Sequence, residues 1–188
     1  MKRRLFIAIN LPETVKNTLV EYQNKWPDLA VKWTKIENLH ITLVFIGDIE
    51  RQNAPVVEMA IKEAISKQKP FSIRIDKISY SPYKKGKEAP RMIWASGELS
   101  KEFLALKKEV EKKLKEKIKF VPEKREAQPH ITLARVNDWQ WRRVEPDEQP
   151  EIEDYLDLKI MVDSVELMKG VLKRSGPEYT ILESYELK

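Results

Sequence analysis

The chain of 188 residues contains no cysteine. That absence removes disulfides, thiolate nucleophiles and cysteine-ligated zinc together. Histidine is almost as scarce, with two in the whole chain. Long apolar runs are missing too, since none approaches the ~20 residues needed to cross a bilayer. The start, Met1-Lys2-Arg3-Arg4-Leu5-Phe6-Ile7-Ala8-Ile9, has the charge and apolar order of a signal peptide. Its apolar stretch is too short, however, and Asn10-Leu11-Pro12-Glu13 follows without a small-residue cleavage site. A buried first strand accounts for it better, and the expected location is the cytoplasm.

What remains is a well-mixed globular composition, 41% hydrophobic and 35% charged, in a length that suits one compact domain over residues 1–188. The net charge of +5 and a pI of about 9.2 suit a polyanionic partner without proving one.

Periodicity divides the chain. Phe6-Ile7-Ala8-Ile9 reads as a buried strand. Pro12 to Trp26 reads as a helix, with Pro12 in its first turn and Val15, Leu19, Tyr22 and Trp26 at helical spacing. A second helix starts at Asn53 as N-cap, with Pro55 in the first turn and Val57, Ile61, Ala64 and Ile65 on one face. A third begins near Ser100 and carries Phe103, Leu106, Val110, Leu114 and Ile118 as its stripe; its Lys- and Glu-rich faces read as solvated. Strand patterns fall at Phe71-Ile73-Ile75, at 91–95, between Leu156 and Leu167, and from Tyr179 to Leu182. Residues 81–90 and 137–150 read as loops. Strand pairs and helices are interspersed, so the expected class is α+β with antiparallel sheets.

Both histidines open the same tetrapeptide, His40-Ile41-Thr42-Leu43 and His130-Ile131-Thr132-Leu133. Given this composition, Ile-Thr-Leu follows a given residue by chance roughly three times in ten thousand. On a strand, residues i and i+2 share a face. Each His therefore points with its Thr, while Ile41, Leu43 and Phe45, or Ile131 and Leu133, point into the core. Two such strands related by a two-fold would face two imidazoles and two hydroxyls into one groove. Imidazoles titrating near neutrality can serve as one acid and one base. In-line displacement at phosphorus needs both, on opposite sides, and hydroxyls can donate to the non-bridging oxygens where charge builds. A strained cyclic phosphodiester is the apt substrate, because ring opening needs no metal. A zinc site would need further ligands at recognisable spacing, and no H-x-x-x-H pattern exists, so neither metal nor cofactor is expected.

Paired H-x-T-x motifs are the hallmark of the two-histidine (2H) phosphoesterase superfamily, and this chain resembles its RNA 2′,3′-cyclic phosphodiesterases, historically called 2′-5′ RNA ligases. The likeness extends through Arg4–Ile9, Trp33–Leu39, Phe45-Ile46-Gly47, Arg91–Ala95, Pro129–Arg135 and Gly176–Tyr179. It implies a bilobal α+β fold of two antiparallel-sheet lobes with pseudo-two-fold symmetry, helices on the outer faces and an active cleft between the sheets. It implies metal-independent hydrolysis of a terminal 2′,3′-cyclic phosphate to a 2′-phosphomonoester, on RNA ends such as tRNA fragments or on cyclic nucleotides, by a monomer. His40 and His130 are carried over as catalytic, usually drawn as proton donor and acceptor in that order. Thr42 and Thr132 are carried over as phosphate holders. Arg135 also matches, although strict alternation puts it on the face opposite His130; it reaches the phosphate only if the strand bulges.

For the rest of an RNA, the candidate contacts are Tyr83-Lys84-Lys85-Gly86-Lys87 and Trp139-Gln140-Trp141-Arg142-Arg143, which mix aromatic and cationic groups. Acidic neighbours offset the second segment. Two alternatives share the site: RNA end joining by the reverse reaction, and an RNA- or nucleotide-binding module without turnover. Retention of both histidines disfavours the module.

Overall fold

A computed structural model describes residues 2–81, 90–123, 127–145, 148–174 and 176–188. The expected helices form where apolar residues recur at helical spacing. Helix α1 (Glu13–Asn24) follows Pro12, which sits at the N-cap and not inside the first turn, and buries Val15 and Leu19. Helix α2 (Ala54–Ile65) buries Val57, Ala60, Ile61, Ala64 and Ile65. Asn53 precedes it without a side-chain capping bond, since a 3₁₀ turn over Arg51–Asn53 already leads into the helix. Helix α3 (Lys101–Lys117) is capped by the Ser100 hydroxyl, which accepts from the Phe103 amide. Its stripe of Phe103, Leu106, Val110 and Leu114 is buried. Each such side chain contributes ~1.5–3 kcal/mol through burial. A short helix, α4 (Asp138–Trp141), lies inside the segment expected to be loop.

The strands are β1 (Lys2–Asn10), β2 (Val31–Trp33), β3 (His40–Glu50), β4 (Phe71–Ser81), β5 (Met92–Ser96), β6 (His130–Val136), β7 (Glu153–Val162), β8 (Ser164–Lys173) and β9 (Gly176–Glu186). The apolar stretch between Leu156 and Leu167 thus divides into β7 and β8 at Asp163. All pair antiparallel, in the order β7-β4-β5-β6-β3-β1-β8-β9, with β2 added beside β6. The order is symmetric about its middle. One lobe is β6-β5-β4-β7, the other β3-β1-β8-β9, and they meet through one register pair, Ile41 with Ile131. In each lobe a strand leads through a helix to a motif strand: β1 and α1 precede β3, as β5 and α3 precede β6.

The main core gathers Ile41, Leu43, Ile131 and Leu133 with Leu19 of α1, Ile61 of α2 and Phe103 of α3. The helices therefore cover that face of the central strands. The opposite face holds a smaller cluster, Phe6, Ala8 and Met168 with Tyr179 against it. β1 is buried on both faces, which is why its sequence is continuously apolar rather than alternating. Among the described residues no helix is long and apolar enough to cross a membrane.

Candidate active site

Strands β3 and β6 both begin on their histidine, and the first seven residues of each show the same alternation of exposure. Ile41 and Ile131 are fully buried, which turns His40, Thr42, His130 and Thr132 to the face away from the helices. An antiparallel register through Ile41 and Ile131 sets His40 opposite Thr132 and Thr42 opposite His130. The two imidazoles thus occupy opposite corners of a small square, and the hydroxyls the other two. All four side chains line one cleft of about 300 Å³.

The backbone just before each motif fixes its ring. Nδ1 of His40 lies 2.7 Å from the Asn38 carbonyl, and Nδ1 of His130 lies 2.8 Å from the Gln128 carbonyl. A carbonyl only accepts, so Nδ1 carries the proton in both rings and Nε2 is left for chemistry. Nε2 of His40 is 3.0 Å from the Thr42 hydroxyl. Beyond this shared anchoring the rings differ. His40 completes a triangle of rings with Phe6 and Tyr179, each centroid 5.2 Å from its own, and meets Tyr179 edge-on. His130 instead stacks on Trp94 at 3.8 Å and 20°. The wall around His40 is dense although the ring edge opens to the cleft. Burial holds His40 below the ordinary imidazole range, and the Asn38 carbonyl pulls partly the other way. The charges of His130 and Lys16 add to the lowering.

With two histidines in the chain, an NMR titration of the ring C–H signals assigns directly. His40 is expected to titrate below 6.5 in the free protein. It should rise when inorganic phosphate is added, because an anion beside the ring favours its charged form. A His40 value at or above 6.5 without ligand would contradict the burial argument.

Arg135 does reach the cleft, for the reason that strict alternation misses. Ile93 and Trp94 are neighbours on β5, yet their partners on β6, Ala134 and Thr132, are two residues apart. β6 therefore bulges at Leu133–Ala134, both of which are buried, and Arg135 returns to the face of His130. β3 bulges at the same place: Ile7 and Ala8 of β1 face Val44 and Thr42. Phe45, expected in the core, is consequently 58% exposed and lines the cleft as the counterpart of Arg135. A second shift follows at Gly47, whose φ of 90° is a conformation glycine adopts without a steric cost.

Electrostatics and shape divide the cleft. Arg4, Lys32, Lys35 and Arg135 line it, and no carboxylate does so among the described residues. Lys32 and Arg135 are register partners across β2 and β6, forming a cationic wall. Phe6, Phe45, Leu172 and Tyr179 form an apolar wall on the other lobe. Of these, the repeated motif singled out the two His and the two Thr, and the family resemblance added Arg135. The aromatic flank and Lys32 lie on strands whose proximity no local pattern announces. Among the described residues no cluster of three or more metal-ligating side chains occurs.

The two further RNA-contact segments fare differently. Residues 83–87 lie outside the described residues. In the other segment, Trp141 is buried against Tyr80 at 5.2 Å, whereas Trp139 is exposed with the Arg143 guanidinium 3.6 Å over its ring. Arg142 pairs with Asp138 at 3.0 Å. Half of the segment is thus structural, and neither tryptophan lines the cleft.

Residues 12–174 match the family model of the 2′-5′ RNA ligase superfamily. A Thermus thermophilus protein named RNA 2′,3′-cyclic phosphodiesterase is 32% identical over 192 residues, covering 98% of this chain and 90% of its own. A protein of the same name from Methanothermobacter thermautotrophicus is 29% identical and matches over 100% of both chains. A solved structure of a Thermus thermophilus protein superposes with a TM-score of 0.83 at 29% identity, covering 98% of this chain and 97% of that one. E. coli LigT complexed with 3′-AMP shares the fold at a TM-score of 0.78 and 20% identity, covering 100% and 99%.

Proposed function

We infer from the 2′-5′ RNA ligase superfamily, to which this chain belongs, that it hydrolyses 2′,3′-cyclic phosphates at RNA ends. The observation that carries this is the pairing of Ile41 with Ile131, which brings two His–Thr pairs head to tail at the floor of a cationic cleft. The whole chain, 1–188, acts as one bilobal catalytic domain with one motif per lobe.

In this mechanism the cyclic phosphate sits over the Ile41–Ile131 junction. The Thr42 and Thr132 hydroxyls donate to its non-bridging oxygens, and Arg135 neutralises its charge. A water held by Nε2 of one histidine attacks phosphorus and gives that nitrogen its proton. The P–O3′ bond breaks on the far side, and the second histidine delivers its Nε2 proton to O3′. The products are a 2′-phosphomonoester and a free 3′-hydroxyl. Release of a proton from the first histidine to solvent and uptake of one by the second reset the pair. Diagonal placement of the imidazoles supports such in-line chemistry, since acid and base must flank the phosphate.

His40 takes the donor role and His130 the acceptor role, as the family is usually drawn. Burial works against a proton on His40 before substrate arrives. The phosphate anion works in the opposite direction and favours the charged ring once substrate is bound. Nucleotide-sized cyclic phosphates and the ends of tRNA fragments both suit a cleft open at its rim, and the enzyme is expected to act as a cytoplasmic monomer.

The test is a short RNA ending in a 2′,3′-cyclic phosphate, incubated with the protein in EDTA. Ring opening to the 2′-phosphate is expected at the same rate with and without the chelator. A 3′-phosphate product would overturn the direction of cleavage, and loss of activity in EDTA would overturn the two-histidine mechanism. A 5′-hydroxyl RNA added to the same tube reports any end joining.

A further inference from the structure

The two bulges share a feature the reaction does not explain. At each bulge the carbonyl of the third residue after the histidine accepts a hydrogen bond from a helix side chain. In β6 the Leu133 carbonyl accepts from the Thr34 amide at 2.8 Å and from Gln23 Nε2 at 3.2 Å. The same Gln23 nitrogen donates to the Thr34 carbonyl at 3.1 Å, so its amide stitches β6 to the segment that continues β2. In β3 the equivalent Leu43 carbonyl accepts from Lys107 Nζ at 3.2 Å. The donors cross over. Gln23 lies on α1, which precedes β3 but serves β6; Lys107 lies on α3, which precedes β6 but serves β3. Two unlike side chains, from two helices, thus reach the same backbone position in the two lobes.

Gln23 is 9% exposed on a helix whose other buried residues are Val15, Lys16 and Leu19. An apolar side chain would pack there without the need to satisfy an amide. The polar choice has a use at the seam above it: Lys32 and Arg135 face each other on the β2–β6 ladder, each two residues from its member of the stitched pair, Thr34 and Leu133. We propose that Gln23 is a positioning residue for substrate binding, which locks the β6 bulge to β2 and so sets the cationic wall of Lys32 and Arg135 against the RNA phosphate. The inference rests on the assignment of that cleft to RNA ends.

Gln23→Met keeps length and volume and removes both donors. With cyclic-phosphate-ended RNA, KM is expected to rise about tenfold while kcat stays within about twofold, because binding is displaced and the histidines are not. In an Arg135→Ala background, adding Gln23→Met should raise KM by less than it does alone, since Gln23 acts in part through Arg135. Should Gln23→Met fail to fold, Gln23→Asn, one methylene too short to span both carbonyls, carries the same expectation. A variant with reduced kcat and unchanged KM has merely lost folded enzyme, and that result overturns the proposal, as do effects that multiply in the double variant. An Arg135→Ala that leaves KM unmoved overturns it as well, while the two-histidine chemistry stands. A wild-type protein inactive on the cyclic end would instead sink the functional assignment itself.

Discussion

Alanine at His40 or at His130 is expected to lower kcat on a cyclic-phosphate-ended RNA by about 100- to 10,000-fold each. The size follows from what each ring supplies at the phosphorus. Both imidazoles are anchored through Nδ1 to a backbone carbonyl, so both present Nε2 to the same cleft in a fixed orientation. Removing either leaves the other half of the proton circuit intact but idle. The double variant should therefore fall little further than the worse single one, as for residues that work as a unit. KM should change less than kcat, because the Thr42 and Thr132 hydroxyls and the cationic wall remain. A thermal melt separates chemistry from folding. His40→Ala loses ring contacts with Phe6 and Tyr179, and His130→Ala loses its stack on Trp94, so modest destabilisation accompanies both. If either variant keeps turnover within a few-fold of wild type, that histidine is not a proton carrier.

The motif strands were legible because duplication and period-two alternation are local properties, carried by six or seven consecutive residues. Helices α1, α2 and α3 were legible for the same reason, each announcing its buried stripe. Arg135 and Phe45 mark where local reading stops. Alternation sends both to the core face, and the bulges at Leu133–Ala134 and Leu43–Val44 send them to the cleft. A bulge is a relation between two strands, here β6 with β5 and β3 with β1, so nothing within one strand's sequence shows it. The same holds for the unlike surroundings of the two histidines. Trp94 and Ala8 take equivalent places, opposite Thr132 and Thr42, yet one stacks on its histidine and the other leaves room filled from Phe6 and Tyr179. The near-identical tetrapeptides hide an asymmetry that only the neighbouring strands create. That asymmetry is what buries the His40 ring and lowers its affinity for a proton.

Ile131→Ala and Ile41→Ala are the substitutions expected to cost most in stability relative to their distance from the substrate. Both side chains are fully buried, and together they form the one register pair that joins the two lobes at the site. Removing three buried carbons from such a position costs about 2–5 kcal/mol through lost transfer energy and the cavity left behind. Against a total of ~5–15 kcal/mol for a typical domain, that is a large fraction. For a chain of this length it corresponds to a fall in Tm of roughly 4–20 °C. The informative comparison is Ile61→Ala on α2, equally buried but away from the seam. Its stability cost belongs to the same range, ~2–5 kcal/mol. Its kcat, measured at a temperature where every variant is folded, should stay near wild type. The seam variants should lose kcat by up to about 100-fold, because a shift of one ångström between acid and base spoils in-line transfer. Equal kcat in all three would mean that the helices and outer strands, not the Ile41–Ile131 junction, hold the two histidines in register.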